Sequence, residues 1–247
     1  MHILQRSTAS MTHRDEVERI RAVYTRWEPD YDIHSLGFLT LLDERDVHLK
    51  RLLEGLPKPL AHCKVLDVGC GYGGLLDLLH SSGVPASSLF GIDLLPHRIT
   101  AARQRYPAYN FQEANAERID FPDQWFDIVI VFTVFSSILD RAMARNVASS
   151  IARVLTRNGV VIWYDMRYPN PWNPNVKPMT KSRIQELFPS FEQQLKSLTV
   201  LPPVARHLGP GTNLLYPLLA KVPVLRSHYL GVLRAPERRQ SRSDSSL

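Results

Sequence analysis

The run Val65-Leu66-Asp67-Val68-Gly69-Cys70-Gly71-Tyr72-Gly73-Gly74 is an apolar stretch that meets an acid and then opens into a glycine-rich bend. Glycines at Gly69, Gly71 and Gly73 let the backbone turn with positive φ and leave no Cβ between chain and ligand, so a flat polar molecule can lie against them. Gly69, Gly71 and Gly74 also satisfy the spacing of a dinucleotide-binding loop. Charge separates the two ligands. A pyrophosphate is anionic, and Asp67 is an unfavourable neighbour for it. S-adenosylmethionine carries a sulfonium and an ammonium instead, which an acidic strand end tolerates or favours. A structural turn with no ligand is the plain alternative.

A second acid follows in Phe90-Gly91-Ile92-Asp93-Leu94. A carboxylate at that strand end accepts both ribose hydroxyls, and Leu94 can pack on an adenine face. Both cofactor classes use this arrangement.

Further on stand Glu113-Ala114-Asn115-Ala116-Glu117, then Phe121-Pro122, then Trp125-Phe126-Asp127-Ile128-Val129-Ile130-Val131. Taken with the two earlier elements, these resemble the class I S-adenosylmethionine-dependent methyltransferases, in the branch acting on small molecules, lipids and sugars (methyltransferase type 11-like). The resemblance runs from about Leu60 to Asp165. It implies an α/β, doubly wound, Rossmann-like and mostly parallel seven-stranded sheet whose last strand is antiparallel. It implies S-adenosylmethionine as cofactor, held by Asp67, Gly69, Cys70, Gly71, Gly73, Asp93, Leu94, Asn115, Ala116 and Phe132. The family's usual residue at Asn115 is an aspartate that receives the adenine amino group; the asparagine carbonyl can still accept that bond.

In an open parallel sheet the acceptor approaches the carboxyl ends of the strands. The residues there are Phe132-Thr133-Val134-Phe135-Ser136-Ser137 and Asp165-Met166-Arg167-Tyr168. Methyl transfer from a sulfonium draws much of its acceleration from alignment, and a base is needed only for a weakly nucleophilic acceptor. Asp165 is the first candidate base and His34 the second; Tyr31, Ser136 and Arg167 are candidates for orienting the substrate. Each has an ordinary alternative: a loop-capping acid for Asp165, a surface ion pair for Arg167, a helix-start residue for His34. Relatives carry a histidine pair where Ser136 and Ser137 stand, and this chain departs from them. No zinc-ligand spacing, nucleophilic triad or GxSxG elbow occurs, so no metal is expected.

The elements that must position these residues are short apolar runs alternating with amphipathic stretches. Strands are expected at Lys64–Val68, Leu89–Ile92, Asn110–Gln112, Phe126–Phe132, Gly159–Tyr164, Gln194–Val200 and His228–Leu233. Leu75, Leu78 and Leu79, then Ile99 and Ala102, mark intervening helices. Another carries Met143, Val147, Ile151, Val154 and Leu155 and stops at Asn158-Gly159. A short helix at Arg183–Phe188 has Thr180 or Ser182 as its cap. Two helices precede the sheet. One is capped by Thr12, bears Val17, Ile20, Tyr24 and Trp27, and is ended by Pro29; the other runs from Phe38 to Gly55.

The expected organisation is a mobile start and helical cover over 1–59, a cofactor-binding catalytic domain over 60–235, and a solvated tail over 236–247. Leu201–Ser227, rich in proline and leucine, is an insertion before the last strand. It reads as a lid, as a patch touching a membrane surface or, most simply, as a helix packed on the sheet.

The chain has 247 residues, 44% hydrophobic and 22% charged, which suits one soluble domain. The net charge of +6 is scattered, and Arg234, Arg238, Arg239 and Arg242 in the tail exceed Glu237 and Asp244, so a nucleic-acid partner is not expected. Cys63 and Cys70 are expected as free thiols, and neither a leader nor a membrane span is legible, so the expected place is the cytoplasm. The expected activity is methylation of an O or N of a small-molecule or glycan acceptor. Arg167-Tyr168-Pro169-Asn170-Pro171 and His228-Tyr229-Leu230-Gly231-Val232-Leu233 extend the resemblance toward bacterial methyltransferases of polysaccharide synthesis. An RNA or protein methyltransferase and a non-catalytic cofactor-binding scaffold are the alternatives.

Overall fold

Val65, Leu66, Asp67 and Val68 are all buried, the pattern of a parallel strand covered by helices on both faces. The computed structural model describes residues 13–27, 35–171 and 173–235. The Thr12 cap, Pro29, the side chain of Trp27 and the expected mobile start and solvated tail lie outside the described residues. The strands are β1 (Val65–Val68), β2 (Leu89–Asp93), β3 (Asn110–Glu113), β4 (Phe126–Phe132), β5 (Leu155–Met166), β6 (Glu192–Val200) and β7 (Arg226–Arg234). They form one sheet in the order β3-β2-β1-β4-β5-β7-β6. The first five are mutually parallel, and β7 lies antiparallel between β5 and β6. This is the doubly wound sheet with a reversed last strand that the sequence leads one to expect.

The helices are α1 (His13–Trp27), α2 (Leu36–Glu54), α3 (Gly74–Ser81), α4 (Pro96–Arg105), α5 (Arg141–Val154), α6 (Lys181–Leu187), α7 (Pro202–Arg206) and α8 (Thr212–Leu219). On one face Leu49 and Leu53 of α2, Leu76 and Leu79 of α3, and Ile99 and Ala102 of α4 share a core with Val65, Ile128, Ile130 and Ile162. On the other, Met143, Val147 and Ile151 of α5 and Ile184 of α6 pack with Leu66, Val129, Val131 and Trp163, joined by Val17 and Ile20 of α1. Polar caps set three of these starts: Ser35 accepts from Phe38 N, Asp140 from Met143 N and Thr180 from Arg183 N. The chain winds from β1 out to β3 and returns to β4 on the opposite side of β1. The order reversal leaves a crevice above the carboxyl ends of β1 and β4.

Two elements differ from expectation. The fifth helix ends at Val154, because Leu155 is already extended (φ −76, ψ 133) and pairs with Phe126. The register then shifts, and pairing resumes with Val160 on Ile128. Asn158 and Gly159 therefore sit in an irregular stretch of strand, not at a helix end. The 201–227 insertion forms two helices, α7 and α8, which pack mainly on α2 and also on the end of β6, around Leu41, Val200, Ala205 and Tyr216. A Cβ on Gly37 would lie 1.8 Å from Ala205 O, so α2 and α7 cross with their backbones in contact.

Candidate active site

A cleft opens at the crevice. Its floor is made by the strand ends: Val68 and Gly69 after β1, Ile92 to Leu95 after β2, Ala114 to Ala116 after β3, and Phe132 to Val134 after β4. Ser137, Ile138, Met143 and Val147 close the α5 side, and Ile20, Tyr24 and Arg98 stand at the mouth.

Asp93 is 6% exposed on this wall. Its Oδ2 accepts from Gly71 N and its Oδ1 from Leu95 N, both at 2.9 Å. Each carboxylate oxygen has a further lone pair, so both ribose hydroxyls can still be accepted. Gly69 has φ +75, and a Cβ there would press within 2.8 Å of a Val134 methyl, so a larger residue at 69 would close the floor. Leu94 and Ala116 offer apolar surface. Asn115 is also on the wall, but its Oδ1 accepts from Glu117 N at 3.0 Å and its Nδ2 donates to Glu117 Oε2 at 3.1 Å. Its second carbonyl lone pair remains for an amino group.

The other expected cofactor residues stand behind the wall. Asp67 is 2% exposed; burial and then the Asp93 charge hold its carboxyl well above the ordinary value, with Arg45 opposing. Cys70 is buried with burial raising its thiol, and it packs so close to Gly91 that a Cβ there would lie 2.8 Å from Sγ. Gly71 contributes its N–H to Asp93, and Gly73 is the left-handed cap of α3.

Next to Phe132 is an aromatic wall. The Tyr164 and His228 rings stack at 4.6 Å with 4° between planes, Phe132 lies 5.2 Å from Tyr164, and the Arg45 guanidinium sits 5.7 Å from Phe132 and 6.0 Å from Tyr164. Burial, and then Arg45, push His228 down to about 3, so the imidazole is neutral near pH 7. Its Nδ1 shares a hydrogen bond with Ser227 Oγ at 2.8 Å.

Asp165 is 1% exposed and does not reach the cleft wall; its carboxylate accepts from Ser136 N at 2.9 Å and Met166 N at 2.8 Å. Burial pushes it up to about 6 against those bonds. Ser136 is likewise buried. Arg167 stacks on Tyr168 at 4.4 Å and Tyr229 at 5.2 Å, and donates to Tyr168 Oη. His34 and Tyr31 lie outside the described residues. By sequence Ile20 and Tyr24 belong to an ordinary helix face, and Arg98 carries no signal. Arg98 lies 5.5 Å from the Tyr24 ring and 5.8 Å from the Tyr72 ring, linking α1, α4 and the glycine bend. Nothing in the spacing of these residues marks them as cleft residues.

A family model described as a methyltransferase domain matches residues 65–159. The chain carries a class I, S-adenosylmethionine-dependent methyltransferase domain. This domain is 35% identical over 80 residues to a demethylmenaquinone methyltransferase of Chlorobaculum parvum, covering 32% of this chain and 31% of that protein. It is 31% identical over 126 residues to a phthiotriol/phenolphthiotriol dimycocerosates methyltransferase of Mycobacterium leprae, covering 50% and 45%. The match thus spans less than half the length of either relative. Among solved structures, the PH0226 protein of Pyrococcus horikoshii shares the fold of the methyltransferase domain, with a TM-score of 0.62 at 19% identity over 87% of this chain and 99% of that one.

The cleft fits the cofactor of this family. A carboxylate, Asp93, and apolar surface from Leu94 and Ala116 line it together, as a nucleoside requires. Asn115 stands on the same wall as these residues.

Proposed function

We propose that the chain transfers the methyl group of S-adenosylmethionine to a small-molecule acceptor with an apolar or aromatic body. The observation that carries this is the apolar lining of the cleft beyond Asp93, made by Phe132, Val134, Ile138, Met143 and Val147.

S-adenosylmethionine, when bound, supplies a methyl group already activated on a sulfonium. Asp93 binds the ribose edge, Gly69 lets the ligand approach the backbone, and Asn115 receives the adenine amino group. Phe132 lends its ring to the cleft wall and excludes water from that side. Behind Phe132 the buried Tyr164–His228 stack backs its ring. With His228 pushed down to about 3, its imidazole is a weak base, and both Asp165 oxygens are held by backbone N–H groups. The residues therefore align the acceptor, and alignment supplies the acceleration. Asp165 acts as a positioning residue: it ties the Phe135–Ser137 turn to the end of β5.

The relatives' names support an apolar acceptor, one being a demethylmenaquinone methyltransferase and the other a phthiotriol/phenolphthiotriol dimycocerosates methyltransferase. The motifs around Arg167 and His228 support a glycan intermediate as the competing class. The test is calorimetry with S-adenosylmethionine and its demethylated product, followed by turnover of methyl-labelled cofactor against isoprenoid quinols and against lipid-linked sugars. Label passing to the quinols supports the proposal. Label confined to the sugars, or binding of the cofactor with no transfer to either panel, overturns it.

A further inference from the structure

We propose that α8 and the turn that follows it form a peripheral docking surface for an anionic lipid bilayer. The inference goes beyond the methyl-transfer reading and does not depend on it.

The orientation of α8 is fixed from inside. Thr212 and Tyr216, one turn apart, are buried, and Tyr216 Oη donates to Glu44 Oε2 at 2.7 Å and accepts from Val200 N at 3.3 Å. Residues two positions from a helical residue fall on the opposite side. Leu214 and Leu218, themselves one turn apart, accordingly point away from the body, 74% and 55% exposed, with Leu215 beside them at 43%. The chain then turns through Lys221 and Val222 into Pro223–Leu225, leaving Val222 40% and Val224 65% exposed. Five large aliphatic side chains in eleven consecutive residues is an apolar patch of the kind that soluble surfaces avoid without a partner.

Charge decides the partner. Between Leu201 and Ser227 there is no Asp or Glu, while Arg206, His207, Lys221 and Arg226 are present. Along the same flank, Lys196, Arg51 and Arg226 crowd His48, whose imidazole is pushed down first by burial and then by these cations. Of the acids on α2, Glu44 is engaged by Tyr216 and by Thr199 N, Asp46 pairs with Arg45, and Asp43 is exposed. An apolar helix face bordered by cations is the form that seats at the interface of an anionic membrane. A second copy of the chain is a poorer occupant, because a symmetric contact would bring one cationic border against the other. No helix among the described residues is long and apolar enough to cross a membrane, so the contact is made from the side.

The surface is also coupled to the aromatic wall. Glu44 holds Tyr216 and Thr199 together, and Thr199 Oγ1 hydrogen-bonds Tyr164 Oη at 3.0 Å.

The test is flotation of the full chain with vesicles of phosphatidylcholine alone or with phosphatidylglycerol added. Wild-type protein should float with the anionic vesicles and be released by salt. Leu214→Ser with Leu218→Ser should cut the bound fraction about tenfold, and Lys221→Glu should lower binding to the anionic vesicles alone. Unchanged melting and cofactor affinity in these variants show that the fold survives; if the double variant melts early, Val224→Ser replaces it. The proposal is overturned if wild-type protein floats with neither vesicle, if it floats equally with both, if the serine variants bind as before, or if light scattering shows a dimer that they dissociate.

Discussion

The carboxylate of Glu16 on α1 accepts the backbone N–H of Leu139, 123 residues further along, at 2.5 Å. Arg19 grips the same carboxylate at 2.8 and 2.9 Å and donates onward to Ser137 O. Burial raises the carboxyl pKa, but Arg19 and the Leu139 and Asp140 N–H groups outweigh it and leave it below the ordinary value. One side chain therefore pins a helix from before the sheet onto the loop that closes the cofactor cleft. Tyr24 adds a hydrogen bond to Ser137 Oγ.

Glu16→Ala takes the carboxylate from Arg19 and leaves two backbone donors unpaired, each bond being worth about 1–3 kcal/mol. Since Ile20 and Tyr24 ride on α1, cofactor affinity should fall about tenfold while the sheet core stays intact. Calorimetry together with hydrogen exchange over residues 13–27 measures this; an unchanged dissociation constant would show that α1 does not complete the site.

Asp93→Ala removes the ribose acceptor and also releases Gly71 N and Leu95 N. Affinity for S-adenosylmethionine should drop by at least about tenfold, two charge-assisted bonds being worth roughly 1.5–3 kcal/mol each. Asp93→Asn keeps one acceptor oxygen and should lose less. Equal losses in the two variants would show that the bend, and not the ribose contact, governs binding.

His228 stays neutral in the folded chain down to about pH 3, whereas its ordinary value is 6.5. Between these limits the unfolded chain binds the extra proton, so stability rises with pH through the window and is lost as pH falls below 6.5. Asp165 works in the opposite sense: folded, it keeps its proton to about pH 6 against an ordinary 3.8, so stability falls as pH rises between them. His228→Phe keeps a ring against Tyr164 and removes the first contribution. The difference in unfolding free energy between variant and parent should therefore change by about 1.4 kcal/mol per pH unit between pH 4 and 6. Urea denaturation across that range checks it, and a difference that stays constant with pH would refute it.

Gly37→Ala places a methyl group into Ala205 O across the α2–α7 crossing. Backbone cannot yield as a flexible side chain does, so a loss of about 1–3 kcal/mol is expected, with α7 and α8 loosened. Cofactor affinity should persist, since the cleft lies on other elements. Thermal melting and calorimetry on one sample separate the two effects.

The strands, the glycine bend and Asp93 were legible because their chemistry is local: a buried β-branched run, a positive φ, an acid at a strand end. The start of β5 was not, since Thr156-Arg157-Asn158-Gly159 has the composition of a helix stop, and only pairing of Leu155 with Phe126 makes it strand. Asp165 was visible as an acid after a strand, but its engagement by Ser136 N and Met166 N depends on a turn that sequence spacing does not report. Ile20 and Tyr24 escaped notice because a helix face that meets a ligand has the same period as one that meets a core.

β7 slots between β5 and β6, and among the described residues β6 has no other sheet neighbour. During synthesis β6 therefore emerges from the ribosome with both edges bare and waits through the whole of α7 and α8 until residues 226–234 arrive to seat it. Its alternation of exposed Glu192, Gln194 and Lys196 keeps the waiting strand from sticking to other chains.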